Sequence, residues 1–547
     1  MSDGKLPAAS LLIPLVWFAL VTLCGFTSDA DENLSFSTGL YTDEGWRTHL
    51  ARNLYLFGQP RIHELERGQW YWESPLCTAL FYASYSAFGY GLAVSRAVST
   101  IFTLLTGILI GSCAARMWGA RFGVLGLLLF FLNYLTFGYA RLAFIEPTMC
   151  FFIVLGLWLH VSIRRPFAGA CLSGLSLGLA LLAKPTALLA LAGIALARLL
   201  DIRGSDNRRR STLAWLAFTI AAAAPLATWL LATSGLGMSD CLMGDPGRAA
   251  PSLIPTDLRQ LVINLLTLSA TDVFNKNPLL PLLAGTYFIL HGPPWGKNAS
   301  PEQKAVSCGL LLTLLPFFAF TYRPPRFFLV VLPFLFLAAV GGVHALTAVP
   351  HRGGAACRPY RAFAWIVAAV TGYTLVSSLF HAAGGEMTRW SLVVLSGPSL
   401  LLAGVLLAWV RRALSHPDAT RALLAPIPLL SISLAFFAPY YVGWLARKTD
   451  SVGEAGRLVR PHVHSGDVLV GQGATSVGFE LDCRIVLVHV PEPHAYDWME
   501  LVRRTGATRL MLGEDVANEV LARDSGRLRP LVRFPLRHGR FVLFEVR

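Results

Sequence analysis

Residues 92–113 read LAVSRAVSTIFTLLTGILIGSC, with a single charge, at Arg96. A helix rising 1.5 Å per residue would carry this stretch about 33 Å, enough to cross the hydrocarbon core of a bilayer. Comparable runs lie at Ser10–Phe26, Phe122–Phe137, Ala143–Val161, Phe167–Leu182, Pro185–Leu199 and Leu213–Leu231. Further ones lie at Leu279–His291, Ala305–Phe320, Phe327–Leu346, Ala362–Phe380, Ser391–Val410 and Leu423–Trp444. The pattern predicts an α-helical polytopic membrane protein of about thirteen spans. Leu279–His291 is short and proline-flanked. Ser10–Phe26 lacks a following A-x-A site, and Leu23 before Cys24 does not suit lipoprotein cleavage, so it reads as a retained span.

Composition agrees with this. Of 547 residues, 54% are hydrophobic and 14% charged, where a soluble domain carries about 25% charged residues. Mean hydropathy is +0.54. A soluble enzyme, a disordered chain and a disulfide scaffold are excluded. The net charge of +14 reflects Arg and Lys gathered in cytoplasmic loops, not a nucleic-acid surface. The nine cysteines are scattered without CxxC or Cys/His spacing and read as small buried apolar residues.

The chain is not uniform. Its last 101 residues hold 15 basic and 13 acidic side chains, against 50 charges in the first 446. The shift divides a membrane part, 1–446, from a soluble part, 447–547. In the latter, Asp467–Gln472, Ile485–Val490, Arg509–Gly513, Leu531–Phe534 and Phe541–Val546 read as strands, and Asp497–Arg504 and Glu514–Ala522 as helices: a small α/β domain. It holds no phosphate loop or recognisable nucleophile. It either positions the acceptor or only packs on the membrane part.

Loop charges set the sidedness. With the amino terminus inside, the inside loops carry Arg116 and Arg121; Arg164 and Arg165; Arg203 and Arg208–Arg210; Lys297 and Lys304; Arg352, Arg358 and Arg361; and Arg411, Arg412 and Arg421. The short outside loops hold single basic residues such as Arg141 and Lys184, and the inside loops are the more basic, as the positive-inside rule requires. An odd number of crossings then places the 27–91 loop and the α/β domain outside, on the extracytoplasmic face of a membrane that is expected to be a bacterial inner membrane. Asp43, Glu44, Arg141, Glu146, Lys184, Arg323 and Arg326 fall at that face, where ionisable groups at membrane depth usually line a cavity or act in function.

Five segments stand out, and four of them carry these residues. The external loop has Tyr41-Thr42-Asp43-Glu44-Gly45-Trp46, continuing with Leu50, Leu54 and Phe57 at helical spacing. Acids at a helix start are also ordinary capping chemistry. Trp70-Tyr71-Trp72-Glu73-Ser74-Pro75 opens an amphipathic helix ending at Phe88-Gly89; the aromatic cluster reads as an interfacial anchor or a sugar platform. Tyr139-Ala140-Arg141-Leu142-Ala143-Phe144-Ile145-Glu146 opens one span. Leu182-Ala183-Lys184-Pro185 closes another, and Tyr322-Arg323-Pro324-Pro325-Arg326 precedes Phe327–Leu346.

In this order the motifs resemble those of the GT-C superfamily of integral-membrane glycosyltransferases, specifically the bacterial relatives of the protein O-mannosyltransferases (family 39) and the lipid A aminoarabinose transferases (family 83). The resemblance runs from about residue 10 to 350. Departures are Glu73-Ser74-Pro75 in place of Lys-Pro-Pro, Glu146 in place of Asp, and Pro185 in place of Gly. No Trp-Trp-Asp motif is present. The resemblance implies a donor sugar on a polyprenyl phosphate, an extracytoplasmic acceptor, and inversion at the anomeric carbon. By that reading Asp43 is the base and Glu44 orients it or holds the acceptor. Glu146 is a second acid, for the acceptor or a divalent metal. Arg141, Lys184 and Arg326 receive the donor phosphate. No cofactor is demanded. His49 and His63 share the external loop, where histidines are ordinarily solvated; metal ligation stays open. A transporter or flippase of a lipid-linked sugar is the alternative, and a scaffold with degenerate acids a third. No inverted repeat supports the transporter.

Overall fold

The computed structural model describes residues 6–30, 43–58, 74–234, 279–296, 299–319, 325–348, 437–438, 440–487, 497–537 and 539–547. The runs Ala362–Phe380 and Ser391–Val410, most of Leu423–Trp444, and also His63 and Trp70–Trp72, lie outside these residues.

Up to residue 348 the described residues are helical. α1 is Leu12–Gly25, α2 Asp43–Phe57, α3 Pro75–Phe88, α4 Leu92–Trp118, α5 Ala120–Phe131 and α6 Tyr134–Ala140. α7 is Glu146–Ser162, α8 Pro166–Ala183, α9 Leu188–Gly204 and α10 Arg208–Ser234; then come α11 Leu279–His291, α12 Pro301–Ala319 and α13 Leu332–Ala348. Among the described residues four helices are long and apolar enough to cross a membrane, and five if the bent pair α5–α6 counts as one span. Ala8–Thr22, Glu146–Ser162 and Leu332–Ala345 are shorter apolar helices.

The run Phe122–Phe137, expected to be one span, is broken by 62°. Asn133 causes the break. Its side chain accepts from the Leu135 and Thr136 amides and starts a new helix inside an apolar stretch.

Helix packing follows the rule for apolar surroundings, where close backbone approach replaces a hydrophobic driving force. Gly174 and Gly178, one turn apart on α8, meet α10 so closely that a Cβ on either would lie 2.3 Å from the Phe218 carbonyl oxygen or 2.4 Å from that of Ala222. α7 and α8 form a hairpin of 17 and 18 residues. Being nearly equal in length, they bring the start of α7 level with the end of α8.

The last hundred residues build a five-stranded sheet ordered β2-β1-β3-β5-β4. The strands are β1 Val468–Gly471, β2 Arg484–Ile485, β3 Arg509–Gly513, β4 Leu528–Leu536 and β5 Gly539–Val546. β1 pairs parallel with β2 and β3; β5 pairs antiparallel with β3 and β4. Alternate residues bury to opposite faces. Leu469, Met511 and Leu543 pack under α14 (Ser451–Val459) and α15 (Ala474–Val477). Val470, Leu510, Leu512, Val542 and Phe544 pack under α16 (Trp498–Thr505) and α17 (Glu514–Asp524).

Long-range hydrogen bonds tie the sheet region to the helical part. The buried Asp29 carboxylate, just beyond α1, accepts from Thr449, from the amide and hydroxyl of Ser451, and from the Val452 amide. It thus caps α14 from some 420 residues away in sequence.

Candidate active site

Two buried charge clusters sit beside α2. The first is centred on Glu44. Arg96, near the start of α4, donates through Nε to Glu44 Oε1 at 2.8 Å and through Nη2 to Oε2 at 2.9 Å. The Ala143 amide donates to Oε1 at 2.8 Å. The other Arg96 nitrogen donates to the carbonyls of Phe26 and Ser28. Burial alone would raise the Glu44 pKa, but Arg96, the Ala143 amide and Arg141 together hold it below the usual carboxylate range. α4 hydroxyls fix the turn that offers Ala143: Ser99 donates to the Phe144 carbonyl and Thr100 to that of Ala140.

Arg141 belongs to this first cluster. Its guanidinium donates to the carbonyls of Ser28 at 3.0 Å and Asp29 at 2.8 Å, and lies 4.6 Å over the Trp444 ring. The sequence grouped it with Lys184 and Arg326 at a donor phosphate. Its described bonds are instead to the chain just after α1.

The second cluster is centred on Glu146. As the first residue of α7 it sits at the positive end of a helix dipole, and Lys184, which caps α8, sits at a negative end. The level hairpin brings these ends together, and Lys184 Nζ donates to Glu146 Oε1 in a buried ion pair. The charges of Arg47 and Arg326 also fall on Glu146. Arg326 comes from the 3₁₀ turn Pro325–Val330, which is held to α7 by the Cys150 thiol on the Leu329 carbonyl. The Phe327 ring is close to two cations, 4.9 Å from Lys184 Nζ and 5.5 Å from the Arg326 guanidinium carbon. Glu146 Oε2 is buried and accepts no hydrogen bond from a described residue.

Asp43 is the first residue of α2, one turn before Arg47. His49 is buried, with Nε2 3.0 Å from the Asn53 amide nitrogen; it is not the solvated loop residue the sequence suggested. Among the described residues no group of three or more His, Cys, Asp and Glu could hold a metal ion. Of the six cysteines whose side chains are described, five are buried as expected and Cys171 is exposed.

Of the residues singled out in the sequence, the structure brings Glu146, Lys184 and Arg326 together, and Glu44 with Arg141. The sequence reading missed Arg47 and Arg96. Arg47 was legible from its i, i+4 relation to Asp43, and Arg96 from being a lone charge inside an apolar run.

The fold has likenesses among solved structures, at low sequence identity. It is similar to ArnT from Cupriavidus metallidurans in the apo state, with a TM-score of 0.61 at 14% sequence identity, covering 97% of each chain. The same protein bound to undecaprenyl phosphate gives a TM-score of 0.60 at 14% identity, over 98% of this chain and 97% of that one. No protein-family model matches the sequence, and no curated protein matches it.

Proposed function

We propose that this chain is a glycosyltransferase that moves a sugar from a polyprenyl-phosphate donor to an acceptor hydroxyl on the extracytoplasmic side of a bacterial inner membrane. One observation carries the reading: the charges of three cations from three separate elements, Arg47, Lys184 and Arg326, fall on one acid, Glu146, and one of them, Arg47, stands one helical turn from Asp43 on α2. Such an excess of positive charge suits an anionic phosphate, and Arg fits it as a fork where Lys acts as a point charge.

The acceptor oxygen attacks the anomeric carbon and its proton passes to the Asp43 carboxylate. The bond between that carbon and the phosphate oxygen breaks, and both electrons leave with polyprenyl phosphate. Arg47, Lys184 and Arg326 stabilise the charge that grows there. Glu44 takes no proton in this scheme. With both oxygens bonded, it anchors the start of α2 and so aims Asp43. Arg141 holds the chain after α1 in the same scaffold. Glu146 keeps Lys184 in place and offers Oε2 to the acceptor.

The test works whichever sugar is carried. A deletion strain is expected to accumulate a polyprenyl-phosphate sugar and lose one surface glycan by mass spectrometry. The wild-type gene restores both, and Asp43→Asn restores neither. Full restoration by Asp43→Asn would remove Asp43 from the chemistry. Movement of the lipid-linked sugar across vesicles by the purified protein, with no transfer, would favour the flippase.

A further inference from the structure

α2 presents a second face, which the reaction scheme does not use. Arg52 is fully buried and makes no ion pair among the described residues. Its guanidinium ends on main-chain carbonyls of one short segment of the sheet region. Nε donates to Phe479 at 2.8 Å, and Nη2 donates to Cys483 at 2.9 Å and to Leu481. The remaining nitrogen reaches Asn53 Oδ1 at 3.3 Å. The Tyr90 ring lies 6.0 Å from the Arg52 guanidinium carbon and the charge of Asp482 is felt there, but no carboxylate among the described residues pairs with it; a buried charge held this way is costly, and a well-packed apolar side chain would usually be the cheaper way to seal such a contact. What the guanidinium adds is direction: one rigid fork fixes three acceptors at once.

The rest of the face agrees. A Cβ on Gly45 would lie 2.3 Å from the Thr475 carbonyl oxygen, so the start of α2 rests directly on α15. Leu50 and Trp46 pack on Leu487. The 479–483 segment is anchored in turn to the start of α4, where Glu480 accepts from the Leu92 amide and Asp482 from the Tyr90 hydroxyl. Gly45, His49 and Arg52 follow the i, i+4, i+7 spacing of one helix face. Asp43 and Arg47 are offset from them.

We infer that Arg52 is a positioning residue, through which the C-terminal α/β region sets the placement of α2, and with it Asp43 and Arg47, over the Glu146–Lys184 pair. The inference rests on the transferase reading above, and one arm of its test does not. In that arm, amide hydrogen exchange is followed in detergent-solubilised full-length protein. Arg52→Lys and Gly45→Ala are expected to speed exchange in α2 and at 479–483, while α7, α8 and strands β1, β3 and β5 keep wild-type protection. In the second arm, purified protein is added to donor-laden membranes of the deletion strain. Both variants are expected to consume donor about 100-fold more slowly, as an ångström-scale misplacement would cause. Binding of undecaprenyl phosphate is expected to fall less than the rate, by about tenfold at most, because of the three cations only Arg47 stands on α2. Arg52→Met is the more severe form, and the two milder variants decide the matter where it does not fold.

Unchanged exchange in α2, or a wild-type rate in both milder variants, overturns the inference. Exchange that rises evenly over the whole chain also overturns it, because Arg52 is then only a stability contact. If wild-type protein consumes no donor while α2 loosens as described, the transferase reading fails and the positioning role stands.

Discussion

Asp43 and Glu44 are adjacent acids at the start of one helix, yet Glu44→Gln is expected to fail by losing stability. The carboxylate takes three hydrogen bonds of 2.8–2.9 Å, two from Arg96 and one from Ala143. Glutamine keeps the shape but turns one acceptor into a donor facing an Arg96 N–H. It also leaves the guanidinium, 2% exposed, without its counter-charge. Removing one partner of a buried pair costs about 3–5 kcal/mol. Arg96 keeps its Phe26 and Ser28 carbonyls, so a value near the lower end, about 3 kcal/mol, is expected.

The assay is denaturant titration of solubilised protein followed by tryptophan fluorescence, with Glu44→Gln, Arg96→Met and the pair compared in a double-mutant cycle. A coupling above about 2 kcal/mol is expected. The pH dependence gives a second check. The folded-state pKa of Glu44 is depressed, so its contribution is present above the unfolded value and is lost as pH falls through the folded one. The gap between wild type and Glu44→Gln should therefore be full above about pH 5 and close on further acidification. A Glu44→Gln protein as stable as wild type but inactive would refute this account and return Glu44 to the chemistry.

Asp43→Asn is expected to lower transfer by about 10²–10⁴-fold, the range of a lost general base, with the denaturation midpoint unmoved. Lys184→Ala leaves Glu146 buried without its ion-pair partner, so it should cost about 3–5 kcal/mol as well as activity, and Lys184→Met with Glu146→Gln should recover much of the stability. Arg326→Ala, at a half-buried residue on a 3₁₀ turn, should leave stability near wild type and weaken undecaprenyl phosphate binding about tenfold or more; equal affinity would place the phosphate elsewhere. In a Cys-free background, single cysteines at Ser35 and Ser525 should both react with an impermeant maleimide on intact cells, and reaction of only one would separate the two compartments.

What the sequence conveyed and what it withheld have physical causes. The strands at Arg509–Gly513 and Phe541–Val546 and the helices at Asp497–Arg504 and Glu514–Ala522 were legible because their patterns and caps are local. The Glu146–Lys184 pair went unread, since the two were given different partners, although an acid opening one apolar run and a lysine closing the next meet when the runs fold back at equal length. The roles of Asp43 and Glu44 were not separable by pattern, since neighbours on a helix point about 100° apart and only the packing of α4 decides which one meets Arg96. Arg141 and Arg326 looked alike for a related reason: both stand at the outer end of an apolar run. Which carbonyls or which acid each meets depends on chain ends that sequence spacing does not connect. Arg52 and Asp29 lie at the far limit of this. Their partners stand more than 400 residues away in sequence, and those partners are mostly main-chain groups, which leave no residue type to recognise. The same bonds make the sheet region and α2 direct neighbours. On these contacts the α/β region and the proposed base are expected to share one compartment, which the paired labelling at Ser35 and Ser525 tests.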